Sequence, residues 1–361
     1  MFILAHNGAS KLGGGEISVA LLLAGLQRRG HRVLMLCRDP AIAGRLAEYG
    51  IPTGVQRVGG DAMVTDALRF AARVRRERPD VVLLTTFKKM FLASLGARLG
   101  GAGYVVQRVG LESDTPRAAR YRVALRRWVD RAVLNADAMR PAFLAGDPLL
   151  PESRLRTILD GVPVPDRTAA PGTLRRELDI PDDVVVVGAA ARLARQKRFD
   201  RLVRSLALLP PRVHCVLAGA GEERDALVAL AAELGVQDRL HLLGFRADVG
   251  NVLDALDIFV VSSDREGLAN AMLEAMAFGL PVVSTEVSGA HEALDPAPGD
   301  PAPGIVVPRD ERALAEAIGR LAEAAEARRA MGEAALARAE RSFGWERFLD
   351  EWESLLAEGA R

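Results

Sequence analysis

Aromatic side chains are scarce in this 361-residue chain, at 5%. A protein that reads bases by stacking needs such platforms, and no known reading module is present, so nucleic acid is not expected as a partner. Cysteine is nearly absent. Cys37 and Cys215 lie far apart, in the strand-like runs RVLMLC and VHCVLA, and read as two buried free thiols rather than a disulfide. No Cys/His spacing suggests a metal site. No run of 18 or more apolar residues occurs, which excludes a transmembrane helix of ordinary length. The opening MFILAHNGAS lacks a basic leader and a cleavage signal, so a cytoplasmic protein is expected.

What is there is an ordinary globular composition, 49% hydrophobic and 26% charged, at a length that suggests two domains. The net charge of +1 hides an asymmetry. Residues 1–165 carry 25 Lys/Arg against 14 Asp/Glu; the remainder carries 23 against 33. A strongly basic first half points to an anionic partner, and an anionic membrane surface or a phosphate-bearing acceptor fits better than nucleic acid.

Short apolar runs alternate with helical patterns through both halves. Phe2–His6, Arg32–Cys37, Val81–Thr85 and Tyr104–Arg108 read as strands, and Glu16–Arg29 as a helix stopped by Gly30. After the linker-like Thr168–Gly172 the grammar restarts, with strands expected at Val184–Ala191, Val213–Ala218, Leu240–Leu243 and Ile258–Ser262. Unbroken apolar strands alternating with helices mean parallel sheets covered on both faces. The fold class is therefore α/β, with two Rossmann-like domains over 1–165 and 166–342 facing across a cleft, and ligands at the carboxyl ends of the strands. Residues 343–361 hold Trp345, Phe348, Trp352 and Leu355 at helical spacing and read as a helix packing back on the first domain.

Three features carry chemistry. Lys11-Leu-Gly-Gly14-Gly15-Glu16 follows the first strand and opens the first helix. Such a loop lets backbone approach a phosphate, and equally serves as a plain turn. It is not the full GxGxxG dinucleotide fingerprint. Next, Gly188-Ala-Ala-Ala-Arg192-Leu-Ala-Arg195-Gln-Lys197 leaves a buried strand with cations suited to a diphosphate, Arg as a fork and Lys as a point charge. As a bare pattern it is also a solvated loop. Finally, Glu266 and Glu274 stand eight residues apart in DREGLANAMLEAMAFGLPVV. Were the segment all helix, roughly 12 Å would separate them, too far for an acid/base pair on one bond but suited to gripping two ends of an elongated ligand. A charged Glu274 amid apolar neighbours requires a polar partner, a ligand among the candidates.

In this order the features resemble the family 4 glycosyltransferases, retaining enzymes of the GT-B fold. The likeness rests on Thr157-Ile-Leu-Asp-Gly-Val162, Gly188-Ala-Ala-Ala-Arg192-Leu with Lys197, Val216-Leu-Ala-Gly-Ala-Gly221, Leu243-Gly-Phe245, the Glu266/Glu274 pair and Ala277-Phe-Gly-Leu-Pro-Val-Val283. The N-terminal glycine loop agrees; the rest of that half is divergent. The resemblance implies a donor domain at 166–342 and an acceptor domain at 1–165. It implies that Arg192 and Lys197 hold the donor diphosphate, that Glu274 accepts from ribose hydroxyls, and that Glu266 contacts the transferred sugar near the amides of Gly267, Leu268, Ala269 and Asn270. Gly14 and Gly15 would touch the phosphate; Gly219, Gly221, Phe245 and Arg246 would line the nucleotide pocket. No metal or other cofactor is implied beyond the nucleotide-diphosphate sugar as co-substrate, since cations do a metal's work. UDP is the first expectation for the nucleotide, with GDP-mannose open, and the acceptor is a glycan, a lipid-linked or a phosphorylated molecule.

Two departures stand out. Relatives often carry a histidine after the strand corresponding to Tyr104–Arg108; here the run is Gln-Arg108-Val-Gly-Leu-Glu112, so Arg108 and Glu112 are the candidate substitutes, each with a merely structural role as its other reading. Ala269 replaces the usual proline. His6, ending the first strand beside the glycine loop, is a further acceptor-side candidate. Arg117–Val133 reads as an amphipathic helix with Tyr121, Leu125, Trp128 and Val129 as its stripe and arginines around it. Either it lies on anionic lipid, with Phe87-Lys88-Lys89-Met90-Phe91 as a second contact, or it packs on its own domain. Two other functions share this fold grammar: a nucleotide-sugar 2-epimerase, and a non-catalytic binder prompted by the missing histidine.

Overall fold

The computed structural model describes residues 1–58, 64–110, 119–163, 166 and 168–359. The chain divides into two units, Met1–Asp160 with Glu346–Arg361, and Gly161–Trp345.

The first unit holds a seven-stranded parallel sheet: β1 (Phe2–Asn7), β2 (Arg32–Cys37), β3 (Thr53–Val55), β4 (Val81–Leu84), β5 (Tyr104–Val109), β6 (Arg131–Leu134) and β7 (Leu155–Thr157), in spatial order β3-β2-β1-β4-β5-β6-β7. Every residue of β1, β4 and β5 is buried, as sheets covered on both faces require. The helix Gly14–Arg28 lays Val19, Leu22, Leu23 and Leu26 into the core. It ends where expected: Gly30 takes φ +88°, its N–H bonds Gln27 O, and His31 N–H reaches back to Leu26 O. That double closure satisfies the last carbonyls and calls for glycine.

The terminal helix Trp345–Ala357 docks here through residues 346–357. One guanidinium, Arg29, bonds Glu346 at 2.5 Å, Asp350 at 2.7 Å and Glu353 at 2.9 Å, while Phe348 and Trp352 are fully buried.

The helix expected over Arg117–Val133 is shorter, Ala119–Arg127, and Arg117 lies outside the described residues. Asp130 explains the early stop. Its carboxylate accepts from the Val105 amide at 2.7 Å and from Arg98 at 2.5 Å, and the apolar residues after it become β6. The stripe residues Tyr121, Leu125 and Val129 face the interior, as do Phe87 and Met90, and Arg122 and Arg126 both bind Asp147. The helix is packed on its own unit.

The second unit holds six parallel strands: β8 (Val185–Ala190), β9 (Val213–Ala218), β10 (Leu240–Gly244), β11 (Ile258–Val261), β12 (Val282–Thr285) and β13 (Gly304–Val307), ordered β10-β9-β8-β11-β12-β13. Both units are Rossmann-like. In the second, the chain runs outward from β8 in both directions, so the loops leaving β8, β9 and β11 surround the switch point where such sheets bind ligands.

Candidate functional site

The loop after β8 carries Arg192, then a single turn Arg195–Lys197. Its path is fixed by the loop after β9. Ala191 N–H bonds Ala218 O at 2.9 Å, Leu193 N–H bonds Ala220 O at 3.0 Å, and Glu223 N–H returns to Leu193 O at 3.1 Å. Backbones this close leave no room for side chains. A Cβ on Gly219 would sit 1.9 Å from Ala191 O, and one on Gly221 2.1 Å from Leu193 O. Gly219 also takes φ +151°. Both glycines are thus demanded by packing, and through it they set where Arg192 stands. Arg192 is half-buried, and its Nη1 is buried with no hydrogen-bond partner among the described residues.

Lys197 meets the loop after β11. Its Nζ lies 2.6 Å from Glu266 Oε1, an atom that also accepts from Ser263 Oγ at 2.6 Å. Among the described residues nothing else bonds this buried carboxylate, so Oε2 remains open to a hydroxyl donor. Ala190, Lys197, Ser263, Glu266, Ala269 and Met272 line a small recess.

The helix bearing Glu274 starts at Asn270, so residues 266–269 form a loop rather than the all-helical segment used to space the two glutamates. Gly267 O accepts from Gly289 N–H at 3.1 Å, which backs this loop from behind. Leu268 and Ala269 are buried, and Asn270 opens the helix. The Glu274 carboxyl has no side-chain partner among the described residues, and burial pushes its pKa up to about 7. An acid left this way is stabilised by hydroxyl donors supplied from outside.

Phe245, just past β10, is 59% exposed. Arg246 is committed elsewhere. It forks onto Asp248 at 2.9 and 2.7 Å and reaches Glu177 at 3.1 Å, pairs that raise its pKa.

In the first unit, Gly14 and Gly15 open the helix after β1 and are exposed, and a Cβ on either would meet nothing within 4 Å. Packing does not ask for glycine there. His6 is buried against Phe70, its Nε2 3.3 Å from Gln56 O, and burial lowers its pKa to about 4. Its surroundings are those of a core imidazole. Arg108 is buried too, its Nη2 2.8 and 2.9 Å from the two oxygens of Asp160, which also accepts from Asn135 at 2.9 Å. Glu112 lies outside the described residues.

Sequence reasoning missed several residues that build the site. Ser263 shares Glu266, Ser262 Oγ donates to Lys197 O at 2.8 Å, and Gln196 Nε2 donates to Arg265 O at 2.6 Å. The one legible signal was the polar run Ser262-Ser263-Asp264 breaking an apolar strand.

Comparison with known proteins finds family and fold likenesses. The family model described as glycosyl transferases group 1 matches residues 172–338, and that described as glycosyl transferase 4-like domain matches residues 13–141. A lipopolysaccharide core biosynthesis glycosyltransferase of Rhizobium meliloti (strain 1021) is 44% identical over 115 residues, 32% of this chain and 34% of that one. A D-inositol 3-phosphate glycosyltransferase of Saccharomonospora viridis is 32% identical over 237 residues, 61% of this chain and 54% of its own length. The chain thus spans about a third to a half of these curated relatives. The crystal structure of Anabaena HepE in complex with UDP-glucose superposes with a TM-score of 0.86 at 22% identity, covering 99% of this chain and 100% of that one. At that identity the likeness is one of fold, a GT-B fold built of two Rossmann-like units.

Proposed function

We propose that this chain, which belongs to the glycosyl transferases of group 1, moves a hexose or N-acetylhexosamine from a nucleotide-diphosphate sugar to an acceptor hydroxyl with retention at the anomeric carbon. The observation carrying this reading is the gathering of Arg192, Lys197 and Glu266 around the switch point of the second sheet, with Glu274 on the helix that follows. An unpartnered arginine, a lysine on a buried carboxylate and a desolvated acid are the groups a diphosphate, a sugar and a ribose need.

In this reading Arg192 and Lys197 bind the diphosphate and neutralise the charge it gains when the anomeric C–O bond breaks. Glu266 accepts from the transferred sugar through Oε2, and Glu274 from the ribose. The acceptor oxygen attacks from the face the diphosphate leaves, and its proton passes to a phosphate oxygen. Neither metal nor cofactor is invoked. UDP is favoured as the nucleotide, since the loop Glu266–Asn270 resembles that of UDP-sugar users and Anabaena HepE, of like fold, holds UDP-glucose. The acceptor is a glycan, lipid-linked or phosphorylated molecule. The relatives named for lipopolysaccharide core and inositol phosphate glycosylation support those classes. Contact with an anionic membrane surface would rest mainly on charge, because Tyr121, Leu125 and Val129 of the apolar stripe are spent on the core; sedimentation with anionic liposomes at low salt tests it.

A thermal-shift screen over UDP, GDP, ADP and their sugars tests the donor, because a ligand of the native state raises the melting temperature by mass action. Stabilisation by UDP and UDP-sugars is the expected outcome. No response to any nucleotide would sink the reading, and release of free 2-epimer without acceptor would replace it with an epimerase.

A further inference from the structure

Behind Lys197 and Glu266 lies a second set of charges that the proposed chemistry does not use. Arg198, directly after Lys197, holds a left-handed backbone at φ 50°. Its guanidinium forks onto Asp200 at 2.9 and 3.0 Å and onto Asp264 at 3.2 and 3.0 Å. Arg201, 4% exposed, gives one arm to Ser262 O at 2.6 Å and another to Asp264 Oδ1 at 2.8 Å. Asp264 also donates its own N–H to Gln196 O at 3.0 Å. Burial alone would push the Asp264 carboxyl up; the bonds from Arg201 and Arg198 outweigh it and hold the acid below its ordinary range.

We propose that Asp264 is a positioning residue. By clamping Arg198 and Arg201 to the loop after β11, it fixes the Lys197 ammonium against Glu266 in the geometry the donor meets. This rests on the donor reading above. Two arguments carry it. Mechanically, Asp264 joins the chain on both sides of Lys197: its side chain holds the residue after Lys197, its amide holds the residue before it, and it stands two residues before Glu266. Electrostatically, Asp200 and Asp264 cancel Arg198 and Arg201. Without Asp264 an excess positive charge would sit beside Lys197, competing for Glu266 and repelling the ammonium. With it, Arg192 and Lys197 remain the cations offered to a ligand.

The chain has four lysines, Lys11, Lys88, Lys89 and Lys197, so reductive ¹³C-methylation of the full chain gives few NMR signals. The Lys197 signal is assigned by its loss in Lys197→Arg, and its position in Glu266→Gln marks the unpaired ammonium. In Asp264→Asn it should move at least about half of the way to that mark, and UDP affinity should fall roughly tenfold. Asp264→Glu should restore both. A lowered melting temperature with an unmoved Lys197 signal and unchanged UDP affinity would make Asp264 merely stabilising and overturn the proposal. If Asp264→Asn fails to fold, Arg198→Ala, at a side chain 33% exposed, must shift the signal in the same direction; an unmoved signal overturns the proposal equally. If the unaltered protein binds no nucleotide, the donor reading fails on its own, and the Lys197 signal still decides the role of Asp264.

Discussion

Lys197 does two jobs at once. It compensates a carboxylate that is 7% exposed, and in the proposed reaction it meets the diphosphate. Lys197→Ala should therefore lower both. Chemical denaturation should show a loss of about 2 kcal/mol, less than for a fully buried pair because Ser263 still serves Glu266 and Lys197 is partly exposed. Titration calorimetry should show UDP binding weakened at least about tenfold. Glu274 makes an opposite prediction. Its folded pKa of about 7 lies above the ordinary 4.5, so the folded state binds more protons than the unfolded chain between those values. Stability must then fall as pH rises through that window, by up to about 3 kcal/mol. Glu274→Gln should melt above the unaltered protein at pH 8, with the gap closing below about pH 5; an equal gap at both ends would refute the assignment. The types and positions of these residues were readable in the sequence. The Lys197 bond to Glu266 was not, because it joins residues 69 apart through loops that carry no periodic signal.

At the level of strands and loops, the glycines separate into two kinds that composition cannot distinguish. Gly219→Ala drives a methyl into the Ala191 carbonyl and should cost more than about 1 kcal/mol, whatever ligand is bound. Gly15→Ala meets open space at the start of a helix and should stabilise by roughly 0.5–1 kcal/mol. If donor turnover falls in a Gly15→Ala protein that melts higher, glycine is there for a ligand; unchanged turnover would make it a plain turn. The strands were legible because unbroken runs such as Val81–Leu84 have few other homes. The helix expected to run to Val133 was over-read because apolar spacing persists across Asp130, and only the bonds from Val105 and Arg98 reveal that the chain turns there.

Across the whole molecule, the chain's end completes its beginning. The terminal helix carries Trp352, 1% exposed, into the first unit, and Trp352→Ala should destabilise that unit by about 3–5 kcal/mol. Tryptophan fluorescence and far-UV circular dichroism followed through denaturant should then show an early transition assigned to residues 1–160. A single transition at the original midpoint would mean the helix is dispensable. The helix itself was legible from Trp345, Phe348, Trp352 and Leu355, whereas its three-carboxylate grip on Arg29 was not, since surface acids on a helix look alike until a partner is known.

Both sulfhydryls of the chain are buried, and burial pushes their pKa values up to about 11 for Cys37 and about 12 for Cys215. At neutral pH neither presents a thiolate to an alkylating reagent. The natural background is therefore silent to maleimide chemistry, so one cysteine introduced on the surface of each unit would accept a dye cleanly. Fluorescence transfer between two such dyes could report the separation of the halves, empty and with nucleotide, with no native residue removed first.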